Sequence, residues 1–313
     1  PDWAPLTAAL PSPEDFVAEG GPMELWEEGE VAECECGHLI AEVSARSGDL
    51  RRQYDEAVLP RWDAKELGPP PGFDEFQHAV CVVTSRNYGE GEADAGTSSM
   101  VVPGVDMCNH GDPPVNTRHG LAPWGDFVVY ADAAIPAGEE ILITYGRLPN
   151  RLLLAQFGFL LPGLPERALA SDAALVRVDG LFDAEEGAKP ATAASEAEAE
   201  RRWEEGPGPT ALGNMARNAI VRRKEDGRVA RWQPATLARK AAEHLGGDAE
   251  KQFGGLLERE LGAYSTTLEE DEKELARGGA SARKRLALQF RIQSKRLLQR
   301  ELDMLEPGIG SRA

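Results

Sequence analysis

Val101-Val102-Pro103-Gly104-Val105-Asp106-Met107-Cys108-Asn109-His110 opens the block of sequence on which the fold turns. The block continues through Ile135-Pro136-Ala137-Gly138-Glu139-Glu140 and Ile141-Leu142-Ile143-Thr144-Tyr145-Gly146. It closes on Asn150, Leu152 to Leu154 and Phe157-Gly158-Phe159. Short apolar runs alternate here with Gly- and Pro-bounded loops. Val80 to Thr84 and Met100 to Pro103 are two such runs, and Asp126–Ala131 and Glu140–Tyr145 read as strands. Between the last two, Pro136 at the second position and Gly138 at the fourth predict a type I turn. No long helix alternates with these strands, which argues against a doubly wound parallel sheet. No Gly-rich phosphate loop follows any of them.

Taken singly, the polar residues of the block have plain readings. Asp106, Asn109 and His110 sit in a loop, where Asp and Asn commonly satisfy local backbone groups. Tyr145 ends a strand as a half-buried aromatic would, and Phe157 and Phe159 could be core. Upstream, Ser85-Arg86-Asn87-Tyr88 is a further polar–aromatic cluster.

The flanks read as helical. Ser12-Pro13-Glu14-Asp15 is a helix start, with Pro at the first position and acids in the first turn. Leu39, Val43, Leu50 and Tyr54 recur at helical intervals, and Gly68 to Gly72 is a Pro/Gly loop. Residues 183–209 are rich in Ala, Glu, Pro and Gly, which predicts an acidic linker or exposed loop, with a solvated helix over Ser195–Glu205 as the alternative. From Thr210 onward the pattern is helical. Thr267 and Glu270 form a capping signature. Arg283 to Leu305 is the last helix, with Leu286, Phe290, Leu297, Leu302 and Leu305 on one broad face and Arg and Lys elsewhere.

Bulk composition narrows the partners. The 313 residues carry a net charge of −19, from 34 basic and 53 acidic side chains. Such a chain repels phosphate backbones and attracts a basic protein or peptide tail, although acidity for solubility alone is an equal reading. The 4 cysteines are too few for a disulfide scaffold, which points to a reducing compartment. Cys34-x-Cys36-x-His38 matches no common zinc spacing, and no metal is expected. No apolar run is long enough for a membrane span. The chain opens with Pro1 rather than Met, so a preceding segment is expected.

In order and spacing, the pieces together resemble the SET family of protein methyltransferases. Asp106-x-x-Asn109-His110 is similar to its Asn-His motif. Ile135-x-x-Gly138-Glu139-Glu140 with Thr144-Tyr145-Gly146 is similar to its Gly-Glu-Glu turn, strand and tyrosine. Asn150 through Gly158-Phe159 resembles the helix and turn that close the site. Trp3-Ala4-Pro5-Leu6, Leu10-Pro11, Thr266–Glu272 and Arg291-x-x-x-Lys295-x-x-Leu298 point to the branch that includes the Rubisco large-subunit methyltransferase.

The resemblance implies an α+β fold: a SET-type core of short strands with a knot-like loop and a helical insert, then an all-α C-terminal domain. It implies a helical insert over 1–80, the C-terminal part of the core over 81–182, the linker, a helical substrate-binding-like domain over 210–306 and a tail over 307–313. It also implies methyl transfer from S-adenosylmethionine to a lysine, or alternatively a histidine, of a protein substrate bound through the helical domain. A catalytically inactive scaffold subunit of a larger assembly is the competing reading.

By this resemblance Tyr145 and Phe157 are the catalytic positions. Arg86, Asp106, Asn109, His110 and Phe159 are the cofactor positions. Tyr145 would orient the amine. Asn109 and His110 would take the amino-acid end of the cofactor through backbone groups, and Arg86 would meet its carboxylate or brace the loop. Phe159 would pack on adenine, and Asp106 would hold the loop. The family's Gly-x-Gly strand-turn is expected before Trp3; Gly308-Ile309-Gly310 has its letters in the wrong context. Phe157 stands where many relatives carry tyrosine. It keeps the ring and loses an oriented hydroxyl, a kind of contact worth ~100-fold in rate. A chloroplast location follows from the resemblance, with cytoplasm or nucleus as alternatives.

Overall fold

The computed structural model describes residues 4–90, 98–111, 115–122, 125–146, 148–162, 173–177, 218–222 and 249–305. Trp3, the expected linker at 183–209, and the tail with Gly308-Ile309-Gly310 lie outside them. The chain forms two compact units. The first is Pro1–Glu33, Val43–Pro162 and Ala280–Ala287; the second is Cys34–Glu42, Gly163–Gly279 and Leu288–Ala313.

The first unit begins with helices: α1 (Ala4–Thr7), α2 (Pro13–Glu19), α3 (Glu28–Ala32), most of α4 (Gly37–Gln53), α5 (Ala64–Leu67) and α6 (Phe73–Arg86). Ser12 caps α2 as expected: its hydroxyl accepts from the Asp15 amide, and Asp15 accepts from the Ser12 amide. Val43 and Tyr54 are buried on the α4 side of the core. Tyr54 lies in a π turn over Tyr54–Val58, where its hydroxyl donates to the Pro71 carbonyl at 2.6 Å and its ring meets Phe73 and Phe76.

Helix α6 corrects one reading. Val80 to Thr84 belongs to this helix and is not a run within the strand-and-loop region. Glu75 caps its start by accepting from the Gly72 amide, and Cys81 and Val82 bury one face. Apolar residues at helical intervals from Phe73 outweigh the β-branched run. The boundary expected between residues 80 and 81 therefore falls inside a helix.

Short strands follow: β1 (Asn87–Glu90), β2 (Ser98–Val101), β3 (Asn109–His110), β4 (Thr117–Leu121), β5 (Phe127–Ala131) and β6 (Leu142–Ile143). β1 and β2 pair antiparallel, as do β4 and β5, whereas β3 and β6 are parallel with Asn109 opposite Leu142. The Glu140–Tyr145 strand is thus shorter than its apolar run suggests. The turn before it is shifted by one residue. The Glu139 amide donates to the Pro136 carbonyl at 3.1 Å, which places Gly138 third in the turn with φ +87°. A positive φ at the third position is the type II requirement, and glycine meets it without steric cost.

Helix α7 (Asn150–Phe157) buries Leu153, Leu154 and Ala155 and packs against α6 and the 3₁₀ turn at Met23–Leu25; Ile143 of β6 is fully buried. The helix ends on Gly158 at φ +74°. A Cβ there would collide with the Gly21 carbonyl, so two glycine backbones touch directly. Around them, the Trp26 indole donates to the Gly20 and Gly21 carbonyls, and Arg283 donates to the Gly20 carbonyl at 3.2 Å and to Glu30 at 2.6 Å.

The second unit contains β7 (Ala173–Arg177), β8 (Asn218–Arg222), α8 (Ala249–Gly262), α9 (Leu268–Arg277) and most of α10 (Ala282–Leu305). β7 and β8 are antiparallel, so the helical reading from Thr210 onward fails at Asn218–Arg222, where Ile220 and Val221 are β-branched. Thr267 caps α9 with Glu270 as expected. In α10, Leu288, Phe290, Ile292, Leu297 and Leu298 are buried, but so are Arg291 and Lys295, which the sequence placed on the outer face. Both converge on Asp271, which is fully buried. Arg291 makes two bonds to it, and Lys295 donates at 2.6 Å. Arg291 also donates to Glu35 at 2.6 Å, and Lys295 donates to the Thr266 carbonyl at 2.7 Å. Among the described residues no helix is long and apolar enough to cross a membrane.

Candidate active site

The site is built where the parallel pair β3–β6 meets the end of α7. Asn109 and His110 take their places from that pairing, and the Gly111 amide extends it by donating to the Ile143 carbonyl at 2.9 Å. Asn116 and Thr117 brace the other side of β6. The Asn116 carboxamide donates to the Glu140 carbonyl and accepts from the Leu142 amide, and the Thr117 hydroxyl donates to the Leu142 carbonyl at 2.7 Å. Asn150 holds the closing turn in the same manner, accepting from the Leu161 amide and donating to its carbonyl, both at 3.0 Å.

This framework brings His110, Tyr145, Phe157 and Phe159 into one ring cluster. Ring centroids lie 5.1 Å apart for His110–Tyr145, 4.9 Å for Tyr145–Phe157 and 5.9 Å for His110–Phe159. The Tyr145 amide donates to His110 Nδ1 at 3.0 Å, so in the neutral imidazole the proton resides on Nε2. The Tyr145 hydroxyl donates to the Cys108 carbonyl at 2.8 Å.

Cys108 follows a 3₁₀ turn over Val105–Met107. The buried Asp106 carboxylate stabilises that turn by accepting from the Gly104 amide at 2.8 Å. Arg86, the last residue of α6, donates to the Asp106 carbonyl at 2.9 Å and lies 3.6 Å from its carboxylate. Arg86 therefore braces the loop. Asn109 is exposed, and its carboxamide donates to Glu140 at 2.5 Å.

Electrostatics keep Tyr145 protonated. Burial pushes its phenol above the ordinary value. Arg86 opposes this, while Cys108, Asp106 and Glu140 reinforce it. Burial likewise raises the Cys108 thiol, helped by Asp106 and Glu140. Neither group is an anion near neutral pH.

The structure thus places Arg86 and Asp106 together at one turn, and His110, Tyr145, Phe157 and Phe159 together beside it, with Asn109 at the exposed rim. The sequence singled out Tyr88 within Ser85–Tyr88 but gave it no role, and it did not point to Asn116, Thr117 or the Cys108 carbonyl. Asn116 immediately precedes β4 and Thr117 is its first residue, a place where side-chain-to-backbone bonding is common. Nothing in the letters marks the Cys108 carbonyl.

Comparison with known proteins bears on the fold. A family model for the Rubisco LSMT substrate-binding domain matches residues 247–298. The fold is similar to that of the SET domain of LSMT bound to lysine and AdoHcy, with a TM-score of 0.64 and 18% identity, covering 97% of this chain and 70% of that one. It is also similar to Rubisco LSMT bound to AdoMet, with a TM-score of 0.61, 20% identity and the same coverage. Comparison with curated proteins gives no significant sequence match. The chain therefore has an LSMT-like SET fold, with residues 247–298 similar to the Rubisco LSMT substrate-binding domain.

Proposed function

We propose that this chain is a protein-lysine N-methyltransferase that uses S-adenosylmethionine. The observation that carries the proposal is the Tyr145 hydroxyl, tethered to the Cys108 carbonyl within a wall of aromatic rings. Its hydrogen is committed to that carbonyl, so its lone pairs face outward and can accept an N–H from an incoming amine. A lysine at pKa ~10.4 must lose a proton before it reacts, which costs about 3 kcal/mol near pH ~8. The Phe157 ring, packed against Tyr145, disfavours the ammonium, and the proton leaves to solvent. Tyr145 is protonated and acts as an orienting acceptor rather than a base.

The cofactor fits the residues present. An exposed Asn109 and a half-buried His110 sit beside the half-buried ring of Phe159, offering polar backbone next to an aromatic face. We assign Asn109 and His110 to the amino-acid end, Phe159 to the adenine, and Arg86 with Asp106 to the loop that carries them. When bound, the cofactor supplies a methyl group on a sulfonium: the N–C bond forms as the S–C bond breaks. Alignment is then the main task of the protein. AdoMet-bound and lysine-bound structures of the similar fold support the reading.

Calorimetric titration with S-adenosylmethionine tests binding, and transfer of a labelled methyl group to extract proteins tests the activity. Absence of binding to the full-length protein overturns the proposal. Binding without transfer would support the scaffold instead. Tyr145→Phe is expected to lower the rate by ~100-fold. An unchanged rate in that variant would show that Tyr145 does not orient the amine.

A further inference from the structure

We propose that Tyr88 is a positioning residue for Tyr145, acting through the turn between Gly104 and Cys108. Its kinetic consequence rests on the methyltransferase reading; the hydrogen-bond chain does not.

Tyr88 pairs with Met100 in the β1–β2 ladder, two residues beyond α6. Its hydroxyl donates to the Val105 carbonyl at 2.8 Å. The same carbonyl accepts the Cys108 amide at 3.0 Å and so closes the 3₁₀ turn. Cys108 then presents the carbonyl that receives the Tyr145 hydroxyl at 2.8 Å. Two phenols therefore grip the two ends of one turn, and Arg86 holds its middle at the Asp106 carbonyl. A single 3₁₀ turn has poor internal hydrogen-bond geometry and little stiffness of its own. The outside donors decide where the Cys108 carbonyl points.

The Tyr88 ring is anchored separately. Its centroid lies 5.5 Å from His119 and 5.0 Å from Phe127, and those two rings stack at 5.7 Å. Packing places the ring, which leaves the hydroxyl a single task. Burial raises the Tyr88 phenol, with nearby Tyr145, Cys108 and Asp106 adding to the effect and Arg86 opposing it, so it remains a donor. A tyrosine that merely satisfies a nearby carbonyl would affect stability and leave Tyr145 untouched.

Carbon NMR of protein labelled at the tyrosine ζ carbon separates the two cases, because the chain has only 5 tyrosines and single Tyr→Phe variants assign them. Tyr88→Phe keeps the packed ring and removes the donor. The Tyr145 titration midpoint is expected to move down, because a loosened Cys108 carbonyl no longer holds the phenol hydrogen. Tyr88→4-aminophenylalanine retains a donor and is expected to restore the original midpoint. A midpoint unmoved by Tyr88→Phe overturns the proposal. So does a failure of the donor-retaining variant to restore it, or a shift seen with Tyr88→Leu alone. In the methyl-transfer assay, Tyr88→Phe is expected to lower kcat about tenfold with KM for S-adenosylmethionine unchanged. The reverse split overturns the proposal. If the unmodified protein transfers no methyl group, the functional reading fails while the NMR result still decides this one.

Discussion

Removing the Asp271 carboxylate would take away the buried acid that Arg291 and Lys295 share, leaving the Glu35 bond to Arg291 in place. Breaking one partner of such a cluster costs ~3 kcal/mol or more, because the remaining charges stay desolvated. Asp271→Asn is therefore expected to lower the unfolding free energy by about that amount in urea denaturation near neutral pH. Burial alone would raise the Asp271 pKa, but bonds from Lys295, Thr266 and Arg291 outweigh it and hold the carboxyl below its ordinary value. A depressed folded-state pKa gives stability that is complete above the unfolded value of ~3.9. That stability is lost as pH falls toward the folded value. The gap between wild type and Asp271→Asn should thus close only below about pH 4. A gap that closes near neutrality would mean that another group carries the effect. The sequence displays Arg291 and Lys295 four apart on one helix face, but not their acid. Asp271 lies 20 and 24 positions away, and only the packing of α9 on α10 joins them. The same limit applied at the candidate site: His110, Tyr145, Phe157 and Phe159, which the structure gathers into one ring cluster, could be singled out because their side chains carry the signal. The carbonyls of Val105 and Cys108, which every residue possesses, could not.

Among the elements, legibility followed local chemistry. The caps of α2 and α9 were readable because Ser12–Asp15 and Thr267–Glu270 bond within one turn. The Pro136–Glu139 turn was misplaced by one residue because two Pro/Gly registers fit the letters, and only the positive φ of Gly138 chooses between them. Helix α6 was obscured because Val80, Val82 and Val83 favour strands in isolation, while burial on one helical face decides otherwise. Two glycines at these junctions make a matched pair for experiment. Gly138 and Gly158 both have positive φ, at +87° and +74°. A Cβ at Gly138 meets nothing within 4 Å, whereas at Gly158 it runs into the Gly21 backbone. Gly138→Ala is expected to cost only the conformational strain, about 1 kcal/mol. Gly158→Ala should cost more than about 2 kcal/mol, because the touching backbones must also part. Equal losses in urea denaturation would show that the Gly21 contact contributes nothing.

Across the whole molecule, a net charge of −19 and a sequence pI near 4.8 act at distances no single side chain reaches. Association with a lysine-rich peptide is expected to weaken as salt rises from about 0.05 to about 0.5 M, as the Debye length shrinks from above 10 Å to below 5 Å. Fluorescence anisotropy of a labelled peptide measures this, and a salt-independent affinity would remove charge from the account of the partner. Arg283 adds a consequence in time. It completes the first unit by binding Glu30, a partner 253 residues earlier in the chain. A ribosome delivers ~5–20 residues per second, so Glu30 and Gly20 wait roughly 10–50 s after they are made before Arg283 exists. Through that interval the Gly20–Gly21 backbone and the Trp26 ring lack one of their partners. The unit that holds the His110–Tyr145 ring cluster cannot complete this contact until Arg283 itself has been synthesised.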